Sequence, residues 1–302
     1  MIKMVKVIDV CEEEFVLPGT RACAGCSMAL IMRITLKALG KNTIMTIPAS
    51  CSTVQTGMQG FMTTRVSVLN TPFMSAGAAA SGIVASLEAK KLDNDVNVLA
   101  FAGDGGTTDI GIQALSGAAE RGTNFIYLCY DNEAYMNTGV QRSGSTPFGA
   151  STTTTPGGKK QQRKDMAQIL EAHGIPYVAT ASAGYPLDLY DKLMRAKEIK
   201  GTKYIHVNAP CPPGWGFDPR YTIEIGRLAV QTGFWPLYEV IEGKLSLSKD
   251  SKRYLNPEKR KSIEDYLQAQ KRFRHITEKE LKVYNDYIDA LWKRIQHRLE
   301  VE

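Results

Sequence analysis

Histidine is scarce in this chain, with four in 302 residues. None stands beside a ligand-like neighbour: His173 closes a helix-like stretch and His206 lies in a strand-like one, so both read as structural. Cysteine is also sparse. Six in a chain this long is not the short, dense pattern of a disulfide-stapled secreted scaffold. No long apolar run is present. The longest small-apolar stretch, Met74 to Leu87, is about 14 residues and rich in Gly, Ala and Ser, whereas a membrane span needs roughly 20 strongly apolar residues. The opening MIKMVKVIDVCEEEF has neither a continuous apolar core nor a small-residue cleavage site, so no signal peptide is read. These absences predict a soluble, cytoplasmic protein without a membrane partner. A large charge imbalance is missing too. Lys and Arg number 37 against 31 Asp and Glu, and +5 of the resulting +6 lies in residues 244–302. A body this close to neutral predicts no nucleic-acid partner.

What is present is enough apolar sequence, 43%, for a real core, and enough length for one large domain plus an appendage. Strand-like and helix-like segments alternate. Asn42–Pro48, Val96–Ala102, Asn124–Tyr130, Tyr177–Thr180 and Lys203–Asn208 read as strands. Ser75–Lys91, Asp109–Arg121, Asp165–His173 and Pro186–Lys197 read as helices. That alternation predicts an α/β fold with a parallel sheet. Ser143 to Gln162 is a long loop rich in Ser, Thr, Gly and Pro, and loops of that length are usually functional or disordered. We expect residues 1–243 to form the α/β body and 244–302 a basic helical extension. In the extension, Pro257 suits a first helical position and Thr277 with Glu280 forms a capping box. Leu281, Tyr284, Ile288, Leu291, Ile295 and Leu299 then make one apolar stripe. The stripe either packs on the chain's own domain or docks on a partner subunit.

The turn Gly103-Asp104-Gly105-Gly106 follows the VNVLAFA strand and precedes a helix. Ligands of open α/β sheets bind at the carboxyl ends of strands. Glycines there let a phosphate approach the backbone, and a helix N-terminus offers free N–H groups. A carboxylate beside a phosphate is repulsive unless a cation lies between them, so Asp104 points to Mg²⁺ bridging protein and diphosphate. The next strand ends in DNEAYMNTG. Asn132 lies 28 residues after Asp104, and adjacent parallel strands would bring both to one edge. An Asn oxygen and a backbone carbonyl are hard ligands suited to the same ion. The stretch is neither a GxGxxG dinucleotide fingerprint nor a Walker A loop.

Cys23 and Cys26 form C-A-G-C, Cys51 follows in PASC, and Cys211 stands in APCPPGWG. All four sit among Gly, Pro and Ser, which predicts loops. Thiolates suit an Fe–S cluster or zinc, and a redox dithiol or no ligand at all also fits the pattern. A thioredoxin-like dithiol would need the C-x-x-C to open a helix after a strand, and EEEFVLPGTRA does not read as one. Cys129, inside an apolar strand, reads as core, and Cys11 as incidental.

Taken together, CAGC, Cys51, GDGGTTDIG, YDNEAYMNTGVQRSGSTPFGA and APCPPGWG resemble the β subunits of pyruvate (2-oxoacid):ferredoxin oxidoreductases. The likeness runs from about Gly19 to Phe217, roughly two thirds of the chain, and the basic tail with FRHIT is similar to that subunit's extension. It implies a doubly wound, mostly parallel sheet of the thiamine-diphosphate-binding fold. It implies that Cys23, Cys26, Cys51 and Cys211 ligate one [4Fe–4S] cluster, and that Asp104, Asn132 and the Ala134 carbonyl hold Mg²⁺. Gly103, Gly105 and Gly106 would approach the diphosphate of thiamine diphosphate, with Cys51, Tyr135 and Thr138 also on the cofactor. Asn137 would face the reacting carbonyl. The implied reaction is reversible oxidative decarboxylation of a 2-oxoacid with coenzyme A, electrons leaving through the cluster to ferredoxin. The glutamate that activates the aminopyrimidine would come from an α subunit, and further clusters from γ and δ subunits, so a heteromer is expected.

Two segments depart from the family's common pattern. Ser27 follows CAGC where Gly is common, and Ala49-Ser50-Cys51 stands in place of A-T-G-C. With Gln55 to Thr64, they leave pyruvate as first choice beside 2-oxoisovalerate, phenylglyoxylate, 2-oxoglutarate and oxalate. A non-redox thiamine-dependent lyase with a structural zinc, or an electron-transfer scaffold, is the reading of a different class.

Overall fold

The computed structural model describes residues 6–57 and 61–301. The first five residues and Met58 to Gly60, which fall in the leader and substrate-side segments considered above, lie outside it. Eight strands form one sheet: β1 (Thr43–Pro48), β2 (Ser67–Thr71), β3 (Asn97–Gly103), β4 (Phe125–Asp131), β5 (Tyr177–Ser182), β6 (Thr202–Asn208), β7 (Tyr238–Ile241) and β8 (Lys244–Leu247). Their order is β2-β1-β3-β4-β6-β5-β7-β8. The first six are parallel, and β7 and β8 close one edge as an antiparallel hairpin.

The helices are α1 (Ser27–Leu39), α2 (Cys51–Thr56), α3 (Ala76–Ala89), α4 (Ile112–Glu120), α5 (Met166–Glu171), α6 (Pro186–Glu198), α7 (Pro212–Trp215), α8 (Thr222–Gln231), α9 (Lys249–Lys252), α10 (Ile263–Gln268) and α11 (Glu278–Val301). Alternation along each strand feeds two cores. On β3, Leu99 and Phe101 join Ile31, Met32, Leu36, Leu189 and Leu193 from α1 and α6. Val98, Ala100 and Ala102 join Ala80, Val84, Leu115 and Leu170 from α3, α4 and α5. Both faces are covered, which is why β3 and β4 read as unbroken apolar runs.

The tail is part of this body. The boundary expected at Gly243 falls in the turn of the β7–β8 hairpin. Tyr284, Ile288, Leu291 and Ile295 of the stripe are buried against the chain's own cores, with Trp215, Phe234 and Tyr266 beneath them. Pro257 opens only a short 3₁₀ turn, Pro257–Lys259, in place of the expected long helix. The helix starts later, where Ser262 accepts from the Glu264 N–H at 3.2 Å. The capping box forms: the Glu280 N–H donates to Thr277 Oγ1 at 3.3 Å and the Thr277 N–H to Glu280 Oε2 at 3.0 Å.

The long loop is internally pinned. Lys159 is buried and donates to the carbonyls of Ser143, Gly144 and Thr146. Burial pushes its amine down to about 8. Among the described residues no helix is long and apolar enough to cross a membrane.

Candidate functional site

β1, β3, β4 and β6 all end at one edge of the sheet. Chain order reverses between β1 and β3, because β2 is laid down on one side of β1 and β3 on the other. A reversal of this kind opens a crevice at the carboxyl ends of the strands. Into it run Ala49-Ser50-Cys51 from β1, Gly103 to Gly106 from β3, Asn132 to Thr138 from β4 and Pro210-Cys211 from β6.

The expected helix after β3 begins in an unusual way. Gly105–Asp109 winds as a π-helical turn before α4. A Cβ on Gly111 would overlap the Gly106 carbonyl oxygen, so this turn requires glycine there. Such turns are rare and recur at functional sites. At Gly105 a Cβ would lie 2.7 Å from the Tyr135 ring, so that glycine makes room for an aromatic side chain as well as for a ligand. Tyr135 in turn donates to Asp109 Oδ2 at 3.0 Å.

Asp104 is buried, and Ser143 Oγ donates to its Oδ2 at 2.5 Å. Burial, and then the charge of Asp131, push its carboxyl well above the usual range. The Asn132 side-chain oxygen sits 2.9 Å from Asp104 Oδ1 and 3.0 Å from the Ala134 carbonyl. That oxygen thus faces an acceptor on either side. Either the amide turns over and donates to both, or a cation lies among them. Neighbouring oxygens around Mg²⁺, with bonds of about 2.0–2.1 Å at right angles, stand about 3.0 Å apart. The donor set and its spacing fit that ion.

The cysteines form a second feature. Cys23, Cys26, Cys51 and Cys211 line one cavity of about 290 Å³. They are not all mid-loop, as expected. Cys26 caps the N-terminus of α1, Cys51 begins α2 and Cys211 caps α7. The C-x-x-C therefore does lead into a helix, although no strand precedes it among the described residues. Burial, together with the charge of the neighbouring cysteines, pushes the thiols of Cys51 and Cys211 up to about 12. Such thiols ionise only if something positive takes up the charge. Among the described residues no three His, Cys, Asp or Glu side chains converge on one ion position. The sulfurs ring the cavity instead.

The two features share a wall. Cys51, Asn132, Met136 and Asn137 line both the sulfur cavity and a smaller one, about 50 Å³, beside Gly103, Asp104, Gly105, Gly106, Ala134 and Thr138. Asn137 is exposed there, while Thr138 spends its hydroxyl proton on Gln141 Oε1 at 2.6 Å. Of the bystanders, Cys129 is buried in the core and Cys11 half-buried away from the cavity. His173 bonds Ser116, and His206 bonds Asp131 at 2.7 Å. Sequence reasoning passed over Ser143, Glu133, Trp215 and Arg272. Glu133 and Ser143 lie inside the quoted YDNEAYMNTGVQRSGSTPFGA and Trp215 inside APCPPGWG, whereas Arg272 falls outside every quoted motif.

A family model described as "Thiamine pyrophosphate enzyme, C-terminal TPP binding domain" matches residues 50–207. Pyruvate synthase subunit PorB of Methanothermobacter thermautotrophicus is 52% identical over 290 residues, covering 94% of this chain and 98% of that protein. Ketoisovalerate oxidoreductase subunit VorB of Pyrococcus abyssi is 45% identical over 299 residues, covering 96% and 94%. Among solved structures, the 2-oxoglutarate:ferredoxin oxidoreductase from Magnetococcus marinus, with 2-oxoglutarate, coenzyme A and succinyl-CoA bound, superposes with a TM-score of 0.57 at 26% identity, over 66% of this chain and 67% of that one. A crevice at the switch point, a GDG turn facing an Asn turn, and near full-length identity of this size lead to one conclusion: the chain belongs to the thiamine pyrophosphate enzyme family and, within it, to the β subunits of the pyruvate (2-oxoacid):ferredoxin oxidoreductases.

Proposed function

We propose that the chain supplies the thiamine-diphosphate half-site and one [4Fe–4S] cluster of a cytoplasmic pyruvate:ferredoxin oxidoreductase. Pyruvate and coenzyme A would give acetyl-CoA, CO₂, one proton and two electrons, and the reaction would run in either direction. The observation that carries this is the shared wall between the oxygen triad and the sulfur cavity. When bound, thiamine diphosphate supplies an electron sink for decarboxylation, and a cluster takes electrons singly. Asp104, Asn132 and the Ala134 carbonyl would hold Mg²⁺ against the diphosphate, with Gly103, Gly105, Gly106, Tyr135 and Thr138 around it. Cys23, Cys26, Cys51 and Cys211 would hold the cluster at its corners. A ring of sulfurs about a cavity suits a cluster better than a single zinc, whose ligands must all lie about 2.3 Å from one point.

Asn137, on the shared wall, would orient the substrate carbonyl, and Met136 beside it would exclude water. The Glu that completes the cofactor's activation would come from an α subunit, with γ and δ subunits relaying electrons to ferredoxin. Pyruvate is ranked before 2-oxoisovalerate on the 52% identity to one PorB against 45% to one VorB, while another PorB, of Pyrococcus horikoshii, stands at 40%.

The test is anaerobic viologen reduction by the native complex with pyruvate, 2-oxoisovalerate, 2-oxoglutarate or phenylglyoxylate, with and without coenzyme A. Reduction fastest with pyruvate, and dependent on coenzyme A, is expected. A colourless, zinc-containing protein with no electron transfer would overturn the proposal. Asp104→Ala should abolish thiamine-diphosphate binding, and equilibrium dialysis of the complex checks this.

A further inference from the structure

The C-terminal segment sends one side chain back to the site. Arg272 is buried between the loops that leave β4 and β6. Its Nη2 donates to Glu133 Oε2 at 2.5 Å. Its guanidinium carbon lies 3.8 Å from the centre of the Trp215 ring, and its Nε donates to Gln270 at 2.9 Å. Trp215, four residues beyond Cys211, donates from its indole to the Asn132 carbonyl at 2.8 Å. One guanidinium therefore touches a residue of each loop, and the two loops touch each other beneath it.

Glu133 is the residue between Asn132 and Ala134. It is buried and holds a left-handed backbone, φ 65°. That conformation is unfavourable for a residue with a side chain and persists only where its surroundings enforce it. Here the Glu133 N–H donates to Asp131 Oδ1 at 2.9 Å, and its carbonyl accepts from Thr146 at 2.6 Å. The carboxylate is held by Arg272, with Arg163 3.7 Å away. The left-handed turn is what carries the Ala134 carbonyl round to within 3.0 Å of the Asn132 side chain.

We propose that Arg272 is a positioning residue: it clamps the Asn132–Ala134 turn and the Cys211 loop together, so that the C-terminal segment sets the geometry of both the oxygen triad and the sulfur cavity. This rests on the reading of the triad as the Mg²⁺–thiamine-diphosphate site. Without the guanidinium, the buried carboxylate loses its hydrogen-bonded partner and keeps only Arg163, 3.7 Å away. The turn then relaxes to relieve it, and the Ala134 carbonyl leaves the triad.

The experiment uses the full heteromeric complex, stripped of thiamine diphosphate and titrated with the cofactor and Mn²⁺ as the spectroscopic probe. Wild type, Arg272→Met, Arg272→Lys and Glu133→Gln are compared by electron paramagnetic resonance of bound Mn²⁺ and of the reduced cluster. Arg272→Met should weaken Mn²⁺ half-saturation about 10–100-fold, the usual range for residues that orient metal ligands. The reduced-cluster spectrum should shift with it. Arg272→Lys should recover part of the affinity, because it keeps the charge and loses the flat stack. If Arg272→Met does not assemble, the Lys and Gln variants carry the test, each expected to weaken Mn²⁺ binding several-fold. Wild-type Mn²⁺ affinity in these variants, with only the melting temperature lowered, would overturn the clamp. A wild-type complex that binds no Mn²⁺ with the cofactor would overturn the functional reading itself, and the clamp with it.

Discussion

Lys203 buries its amine near the start of β6, at the sheet edge opposite the crevice, with Asn124 Oδ1 at 2.7 Å as its hydrogen-bond partner. Burial, then the charge of Lys200, push it down to about 7. Between about pH 7 and 10.5 the unfolded chain therefore binds a proton that the folded chain does not. Stability contributed by this group rises with pH through that window, and its penalty is fully present below it. Lys203→Met should stabilise the protein most at pH 6–7 and progressively less toward pH 10, as urea midpoints across that range would show. Parallel pH profiles for the two proteins would refute this. Val140 offers a second case, since a β-branched residue at φ 64° is strained. Val140→Gly should raise stability by about 1 kcal/mol, read from thermal unfolding. Single-residue legibility followed the backbone. Asp104 and Asn132 announce themselves because each ends an apolar strand in a turn that a ligand needs. Glu133 and Arg272 do not, because their roles depend on a contact that no local pattern encodes.

At the level of elements, β3 and β4 were readable because burial on both faces makes them continuously apolar. β2 was not, because it is an edge strand whose SVLNT is largely exposed and lacks that signature. β7 and β8 are four residues each and join the sheet antiparallel, outside the alternation that revealed the rest. α1 was readable and missed: Met28, Ile31, Met32, Leu36 and Leu39 keep a helical period behind the attention drawn by CAGC. The π-helical turn had no sequence signal beyond its glycines. It gives a sharp prediction, because Gly111→Ala places a Cβ on a carbonyl. That variant should lose about 1–3 kcal/mol of stability and most of its thiamine-diphosphate affinity, followed by denaturant unfolding and by cofactor titration. Ser262→Ala, which removes the cap of α10 at an exposed position, should cost about 1 kcal/mol and leave cofactor affinity unchanged.

At the scale of the molecule, the two candidate cofactor positions are assembled from four strand ends plus the N-terminus of α1, so no short segment contains either. The α/β class and the crevice edge were legible from alternation alone, since a parallel sheet allows few arrangements. The integration of residues 244–302 was not, because a basic, amphipathic tail reads alike whether its partner is its own core or another chain. Saturation with Mg²⁺ and thiamine diphosphate at about a hundred times their dissociation constant should stabilise the complex by about 2.7 kcal/mol. A chelator should reverse the gain, visible as a fall in melting temperature to the value without cofactor.

Glu133 and Arg272 stand 139 residues apart in the chain. During synthesis, at about 5–20 residues per second, the β4 loop would leave the ribosome many seconds before the arginine that braces it. For that interval the strands of the crevice can pair while the Asn132–Ala134 turn lacks the guanidinium that holds the Glu133 carboxylate. Cofactor loading would then begin only on a finished chain, and a product cut short before Arg272 would carry all of the candidate ligands named here and still fail to retain them.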